Sequence, residues 1–192
     1  MMGYLELALI AIGLSMDAFA VAVTIGITSK DAEKSVMTKR GLITGLYFGF
    51  FQGLMPLIGY LLGTQFANKI SAFDHWVAVA LLCFIGGQMV VGSFKKDDDE
   101  PKEVSMKPKK MLPLAIATSI DALAVGVSFA MVGTKIVPAV ITIGLTTFAL
   151  SFAGVFIGKA FGGKFKSKAE LIGGVILILI GLKILIEHLF FQ

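Results

Sequence analysis

Two aspartates stand inside stretches of sequence that are otherwise apolar. Asp17 lies in Ser15-Met16-Asp17-Ala18-Phe19-Ala20-Val21, and Asp121 lies in Ser119-Ile120-Asp121-Ala122-Leu123-Ala124-Val125. A carboxylate at the centre of a lipid-embedded helix costs on the order of 2.5–3.5 kcal/mol on insertion scales, so two of them call for a compensating role. Brought together, they would make a compact anionic site for a cation. Other oxygen donors accompany them. Glu6, Gly13, Asp17, Thr24 and Thr28 fall along one helical stripe, as do Asp121 and Ser128, because steps of four and seven return to nearly the same face. Ser15 and Ser119 precede the acids by two positions, and Gln52 places an amide in another apolar stretch. Each hydroxyl has a second reading, a back-bond to a carbonyl of its own helix.

The donor types narrow the ligand. Carboxylate, hydroxyl, amide and backbone oxygens suit Mg²⁺, Ca²⁺ or Mn²⁺, whereas Zn²⁺ and Cu⁺ favour His and Cys. The two histidines, His75 and His188, sit near the ends of apolar segments, where capping or interfacial roles fit better than ligation. Cys83 is the single cysteine, so there is neither a disulfide framework nor a CxxC site, and it reads as a small buried hydrophobe. Met16, beside Asp17, is either packing or a soft donor that would favour Mn²⁺ over Mg²⁺. Lys183 is the charge partner that the acids suggest: it either pairs with Asp17 or Asp121 when no cation is bound, or snorkels outward.

The elements that must carry these groups follow from composition. Of 192 residues, 56% are hydrophobic, the mean hydropathy is +0.87 and 22 are Gly. That points to the lipid bilayer as the solvent, with helices packed closely through small residues. The formal charge of +4 sits in short clusters between apolar stretches, which argues against nucleic acid as a partner. The first apolar stretch has no basic region before it and contains an acid, so it is expected to be a retained span and not a cleaved signal.

A spanning helix needs about 20 mostly apolar residues. Six segments qualify, at 4–28, 41–64, 75–94, 111–132, 136–160 and 169–190. Lys30, Lys34, Lys39 and Arg40 lie in the first connection, the lysines from Lys95 to Lys110 in the third, and Lys159, Lys164, Lys166 and Lys168 in the fifth. The other side has only Lys69 and Lys135. The positive-inside rule therefore predicts cytoplasmic basic connections and both termini outside, in the cell membrane. The run Asp97, Asp98, Asp99 and Glu100 reads as part of a solvated linker, with cation sensing as the alternative.

The match between the two acidic stretches continues, Val23 pairing with Val127 and Thr24 with Ser128. Leu57-Ile58-Gly59 is echoed by Phe156-Ile157-Gly158, and Phe84-Ile85-Gly86 by Leu179-Ile180-Gly181, which aligns Gln88 with Lys183. Two units of three helices must enter the membrane from opposite faces. The expected fold is an all-α integral membrane protein with six transmembrane helices in two inverted-topology repeats, 1–94 and 111–192, joined by a charged linker over 95–110. Secondary transporters of this plan bind substrate near the midplane, where the copies meet. Gln52 lies four residues before Pro56, which suggests a broken helix lining the site.

The chain resembles the MntP family of manganese efflux pumps. The resemblance rests on the paired aspartate motifs, Pro56-Leu57-Ile58-Gly59, Gly86-Gly87 and Leu171-Ile172-Gly173-Gly174, and covers essentially the whole chain. It implies export of Mn²⁺ from the cytoplasm, with Asp17 and Asp121 matching the family's intramembrane acids and Gln52 standing where some members carry Glu. Mn²⁺ is then cargo, other divalent cations are candidate cargo, and no cofactor is expected. No GxxxxGK[ST] pattern is present to couple ATP, so proton antiport is the expected energy source. Three rivals remain. Two central acids would also suit export of another small cationic solute such as a basic amino acid, though the small-residue faces leave little room. An intramembrane aspartyl protease lacks its Gly-x-Gly-Asp and Tyr-Asp motifs here. A purely structural bundle would tolerate loss of either acid.

Overall fold

The computed structural model describes residues 3–29, 32–67 and 105–161, together with positions 83, 87, 90, 91, 171, 175, 178, 179, 182 and 186. The described residues form α1 (Tyr4–Ile27), α2 (Lys34–Ala67), α3 (Pro108–Ala117), α4 (Ile120–Val132) and α5 (Ile136–Phe161). Three of these are long and apolar enough to cross a membrane, and α3 with α4 makes a fourth candidate, bent by 42°. The isolated positions within the expected third and sixth spans are helical. Gln88, Lys183, His75, His188 and the Asp97–Glu100 run lie outside the described residues.

Local chemistry sets the helix ends. The Glu6 carboxylate accepts the Gly3 N–H at 3.0 Å and so satisfies a donor at the start of α1. At the far end of α4, Gly133 takes the left-handed conformation (φ 69°), and the Thr134 N–H closes on the Phe129 carbonyl at 2.9 Å. Helix α2 begins at Lys34, about two turns earlier than the expected span, so the basic residues of the first connection occupy helical turns that project beyond the apolar part.

Two expectations about helix continuity are corrected. Helix α2 runs unbroken through Pro56, where a break was expected, and the span expected to be continuous over 111–132 is instead divided at Thr118 and Ser119. The cause is two successive hydroxyls on one carbonyl. Thr118 Oγ1 and Ser119 Oγ both donate to Ala115 O, at 3.2 and 2.7 Å. The Ser119 N–H turns back to Ile116 O at 3.1 Å, three residues away instead of four. Such back-bonding bends helices. In α1 the matching Ser15 makes the same back-bond to Ala11 O at 2.6 Å, but Leu14 and not a hydroxyl residue precedes it, and the helix continues.

Helix α1 lies along α5, and α2 lies along both α4 and α5, while α1 touches α2 little and α4 touches α5 little. The intimate pairs thus join the first half of the sequence to the second. Glycine makes this approach possible. A Cβ on Gly59 would run into the Leu123 carbonyl of α4, and one on Gly158 into the Val23 carbonyl of α1. Leu7, Ile10, Leu14, Val23, Val125 and Phe129 build one apolar cluster, and Ile25, Met37, Phe48, Met111 and Val155 a second. Leu42, Leu46 and Phe50 on α2, with Val137, Ile141 and Leu145 on α5, form exposed apolar stripes at four-residue spacing, as a lipid-facing surface requires.

The second cluster gathers the start of α2, the start of α3 and the ends of α1 and α5 at one end of the bundle. Lys159 Nζ donates to Ala32 O at 2.5 Å, and an Arg40 guanidinium nitrogen donates to Ser29 Oγ, tying the α1–α2 turn to that end. The described Lys34, Lys39, Lys107, Lys109 and Lys110 belong to the same end, whereas Lys135 lies in the α4–α5 turn at the other.

Candidate functional site

Asp17 is carried at the middle of α1 and Asp121 in the first turn of α4, immediately after the break. The break makes Asp121 a residue of a helix N-terminus: its Oδ1 accepts the Ala122 N–H at 2.8 Å, where the helix dipole favours a negative charge. Its Oδ2 is buried and has no hydrogen-bond partner among the described residues. The carboxyl of Asp121 lies within the electrostatic reach of Asp17 and has the Gln52 side chain close by, with no hydrogen bond of standard geometry between Gln52 and its Oδ2. Asp121 of α4 thus has the Gln52 amide of α2 as a neighbour and the charge of Asp17 within reach, although α1 and α4 touch each other little.

Gln52 is fully buried on α2. Its Nε2 donates to Leu14 O of α1 at 2.9 Å, leaving Oε1 buried and unpartnered among the described residues. An orphaned buried amide oxygen near the Asp121 carboxylate is a donor pair of the type that hard divalent cations take. Ser15 is reached from the other side: its Oγ shares a 2.7 Å hydrogen bond with Thr147 Oγ1 of α5 while donating to Ala11 O. The turn of α1 that leads to Asp17 is thus fastened by α2 at Leu14 and by α5 at Ser15.

The remaining hydroxyls of the two stripes take the back-bonded arrangement. Thr24 bonds Ala20 O, Thr28 bonds Thr24 O and Ile25 O, and Ser128 bonds Ala124 O. Ser119 is committed to Ala115 O, although a donating hydroxyl keeps lone pairs for a cation. Met16 is buried in the apolar cluster, and Cys83 is a free thiol. Among the described residues no three His, Cys, Asp or Glu side chains come together, so two carboxylates and neutral oxygens are what those residues offer a cation.

Two buried polar residues of α5 are not among the candidates that the sequence offers. Thr147 has no cue in spacing, since the echo between the two halves pairs it with Phe48. Ser151 did have one. The register that pairs Leu57 with Phe156, carried back five residues, pairs Gln52 with Ser151. Ser151 is fully buried, with its hydroxyl unpartnered among the described residues.

Apolar helices with lipid-type outer faces, packed through glycine and carrying two half-buried acids, define a multi-pass membrane protein. The comparisons with known proteins specify the class further. Residues 35–185 match the model of the family described as "putative manganese efflux pump". A protein of Desulfitobacterium hafniense named "putative manganese efflux pump MntP" is 55% identical, over 99% of this chain and 98% of its own length. Relatives of the same name from Acetivibrio thermocellus and Clostridium perfringens are 50% and 49% identical, over 98% and 97% of this chain and 93% and 96% of theirs. No solved structure matches the chain. The chain belongs to the MntP family, whose members are named as transporters and not as enzymes.

Proposed function

We propose that this protein exports Mn²⁺ from the cytoplasm through a site built on Asp17 and Asp121. The observation that supports this reading is that two acids on separate helices lie within electrostatic reach of each other, with the buried, half-satisfied amide of Gln52 next to one of them, inside an otherwise apolar bundle. Two carboxylates balance one divalent charge, and uncharged oxygens complete a hard-donor set without adding charge to a low-dielectric interior. The names of the family and of its members supply the cation.

In this reading the chain is a pair of inverted repeats. The packing supports it: exchanging α1 for the α3–α4 span and α2 for α5 converts the α1·α5 contact into the α4·α2 contact and returns α2·α5 to itself. The basic end is cytoplasmic, which places both termini outside. Mn²⁺ arrives from that end, exchanges part of its water shell for the carboxylate oxygens, and leaves outward as the two units rock about the site. Protonation of an emptied carboxylate resets the carrier without two bare anions in the interior, which makes the cycle a proton antiport.

The test is Mn²⁺ uptake into everted vesicles or proteoliposomes by the intact protein, Asp17→Asn and Asp121→Asn at matched expression. Saturable uptake that is lost in both variants, and that lysine fails to compete, is the expected result. Normal uptake by both variants would remove the carboxylate site, and competition by lysine would move the cargo to basic amino acids.

A further inference from the structure

Among the described residues, the buried serines other than Ser151 share a habit. Ser15, Ser29, Ser119 and Ser128 each donate to the carbonyl four residues earlier, which satisfies the O–H at little expense. Ser151, in the middle of α5 and fully buried, does not: its Oγ has no partner among the described residues, although the Thr147 carbonyl stands at the same spacing. A buried polar group left unsatisfied is destabilising. An apolar residue of similar size would avoid that penalty, so the hydroxyl calls for a reason.

Its place in the packing supplies one. On α5, Thr147 touches Ser15 of α1, and Gly154 rests against Phe19 and Ala22. Ser151 lies between them in sequence, level with the part of α1 that holds Asp17. Gln52 has the corresponding position on α2: Gly59 packs on Leu123 and Val127, and Gly63 on Val127 and Ala130, so α2 and α4 run parallel and Gln52, two turns before Gly59, is level with the start of α4 and Asp121. The sequence register that pairs Gln52 with Ser151 therefore also pairs their levels in the bundle with those of the two acids. Thr44 and Thr134 are likewise unpartnered among the described residues. Thr134, however, lies in the turn after α4, and the same register sets Thr44 against Ile143.

We propose that the Ser151 hydroxyl is a neutral oxygen ligand of the transported cation on the Asp17 side, the counterpart of Gln52 on the Asp121 side. This rests on the carboxylate site described under Proposed function and extends it to a two-sided donor set, with one acid and one neutral oxygen from each half of the chain. The two neutral donors differ in length, so the halves are not equivalent. The amide of Gln52 spans to Leu14, whereas the short Ser151 side chain keeps its oxygen free for the cation.

The test uses the full chain in proteoliposomes, with MnCl₂ and CdCl₂ as probes, comparing the parent, Ser151→Ala, Ser151→Cys and Asp17→Asn. Loss of one neutral oxygen is expected to raise the KM for Mn²⁺ about five- to tenfold with Vmax within about twofold, and to leave the thermal midpoint unchanged or higher. Ser151→Cys puts a soft donor of nearly the same size in place and is expected to move the Cd²⁺-to-Mn²⁺ preference towards Cd²⁺ by about tenfold. A residue that merely packs would not change that ratio. If Ser151→Ala folds poorly, the ratio in Ser151→Cys alone decides. Parental KM and parental ratio in the two Ser151 variants, with Asp17→Asn inactive, would overturn this inference and leave the carboxylate site standing; normal transport by Asp17→Asn would bring down both.

Discussion

Ser15 and Thr147, 132 residues apart in sequence, share a hydroxyl–hydroxyl hydrogen bond of 2.7 Å in the buried seam between α1 and α5. The bond joins the turn leading to Asp17 to the second half of the chain. Ser15 has a second partner in Ala11 O, but in the described structure Thr147 depends on Ser15. Thr147→Val is therefore expected to lower stability by about 1 kcal/mol, the net contribution of a neutral hydrogen bond. Ser15→Ala should cost about as much, and the double variant should cost less than the sum of the two. Thermal unfolding in detergent of the four proteins completes the cycle; strict additivity would mean that the hydroxyls do not act on each other.

The glycine contacts predict a graded response to a single methyl group. At Gly158 and Gly59 an added Cβ would overlap a carbonyl of the facing helix, whereas at Gly53 it would stand 3.1 Å from Val140 O, a tight contact that a small shift relieves. Gly158→Ala and Gly59→Ala should each lower stability by about 1–3 kcal/mol through forced separation of the helices. Gly53→Ala should fall well below that range, since Ala improves helix propensity by up to about 1 kcal/mol. Expression yield and thermal midpoint would show the order, and equal effects at the three sites would argue against the close α1·α5 and α2·α4 seams.

How far the sequence anticipates this arrangement depends on which physical signal each feature leaves. Three of the described spans leave the strongest one, long apolar runs, and their ends fall within a few residues of expectation except where α2 extends through Lys34–Arg40. Asp17 and Asp121 are conspicuous because an acid in an apolar run is costly, and the internal echo suggests that they meet. The break before Asp121 is quieter. Pro56 is the louder breaker in sequence, yet α2 absorbs it, and two adjacent hydroxyls at Thr118 and Ser119 divide the other span. Thr147 is silent, because a threonine in a membrane helix satisfies itself locally as readily as across an interface. Ser151 is audible only through its register with Gln52.

The gathering of basic residues at one end of the bundle predicts how the chain is accessible. Lys107 is exposed at the end that holds Lys34, Lys39 and Lys159, and Lys135 is exposed in the α4–α5 turn at the other. In a Cys83→Ala background, Lys135→Cys should react with a membrane-impermeant maleimide in intact cells. Lys107→Cys should react only after permeabilisation. The reverse pattern would invert the proposed orientation, and with it the direction from which Mn²⁺ enters.

Gln52 makes the sharpest separation between folding and transport. Gln52→Leu keeps the volume of the side chain while removing two polar atoms of opposite standing. Nε2 is bonded to Leu14 O, a contribution of about 1 kcal/mol, whereas Oε1 is buried without a partner among the described residues, at a penalty of about 1–3 kcal/mol. The balance favours leucine, so the variant should be as stable as the parent or more so. The same substitution strips the site of an oxygen beside Asp121 and should raise the KM for Mn²⁺ about tenfold, the expected loss for one neutral ligand. A protein that gains stability as it loses affinity would show that the orphaned oxygen is kept for the cation and not for the fold. If Gln52→Leu instead unfolds more easily and transports Mn²⁺ with the parental KM, Gln52 is a structural clamp between α2 and α1, and the donor set shrinks to the two carboxylates and the hydroxyls on α1 and α5.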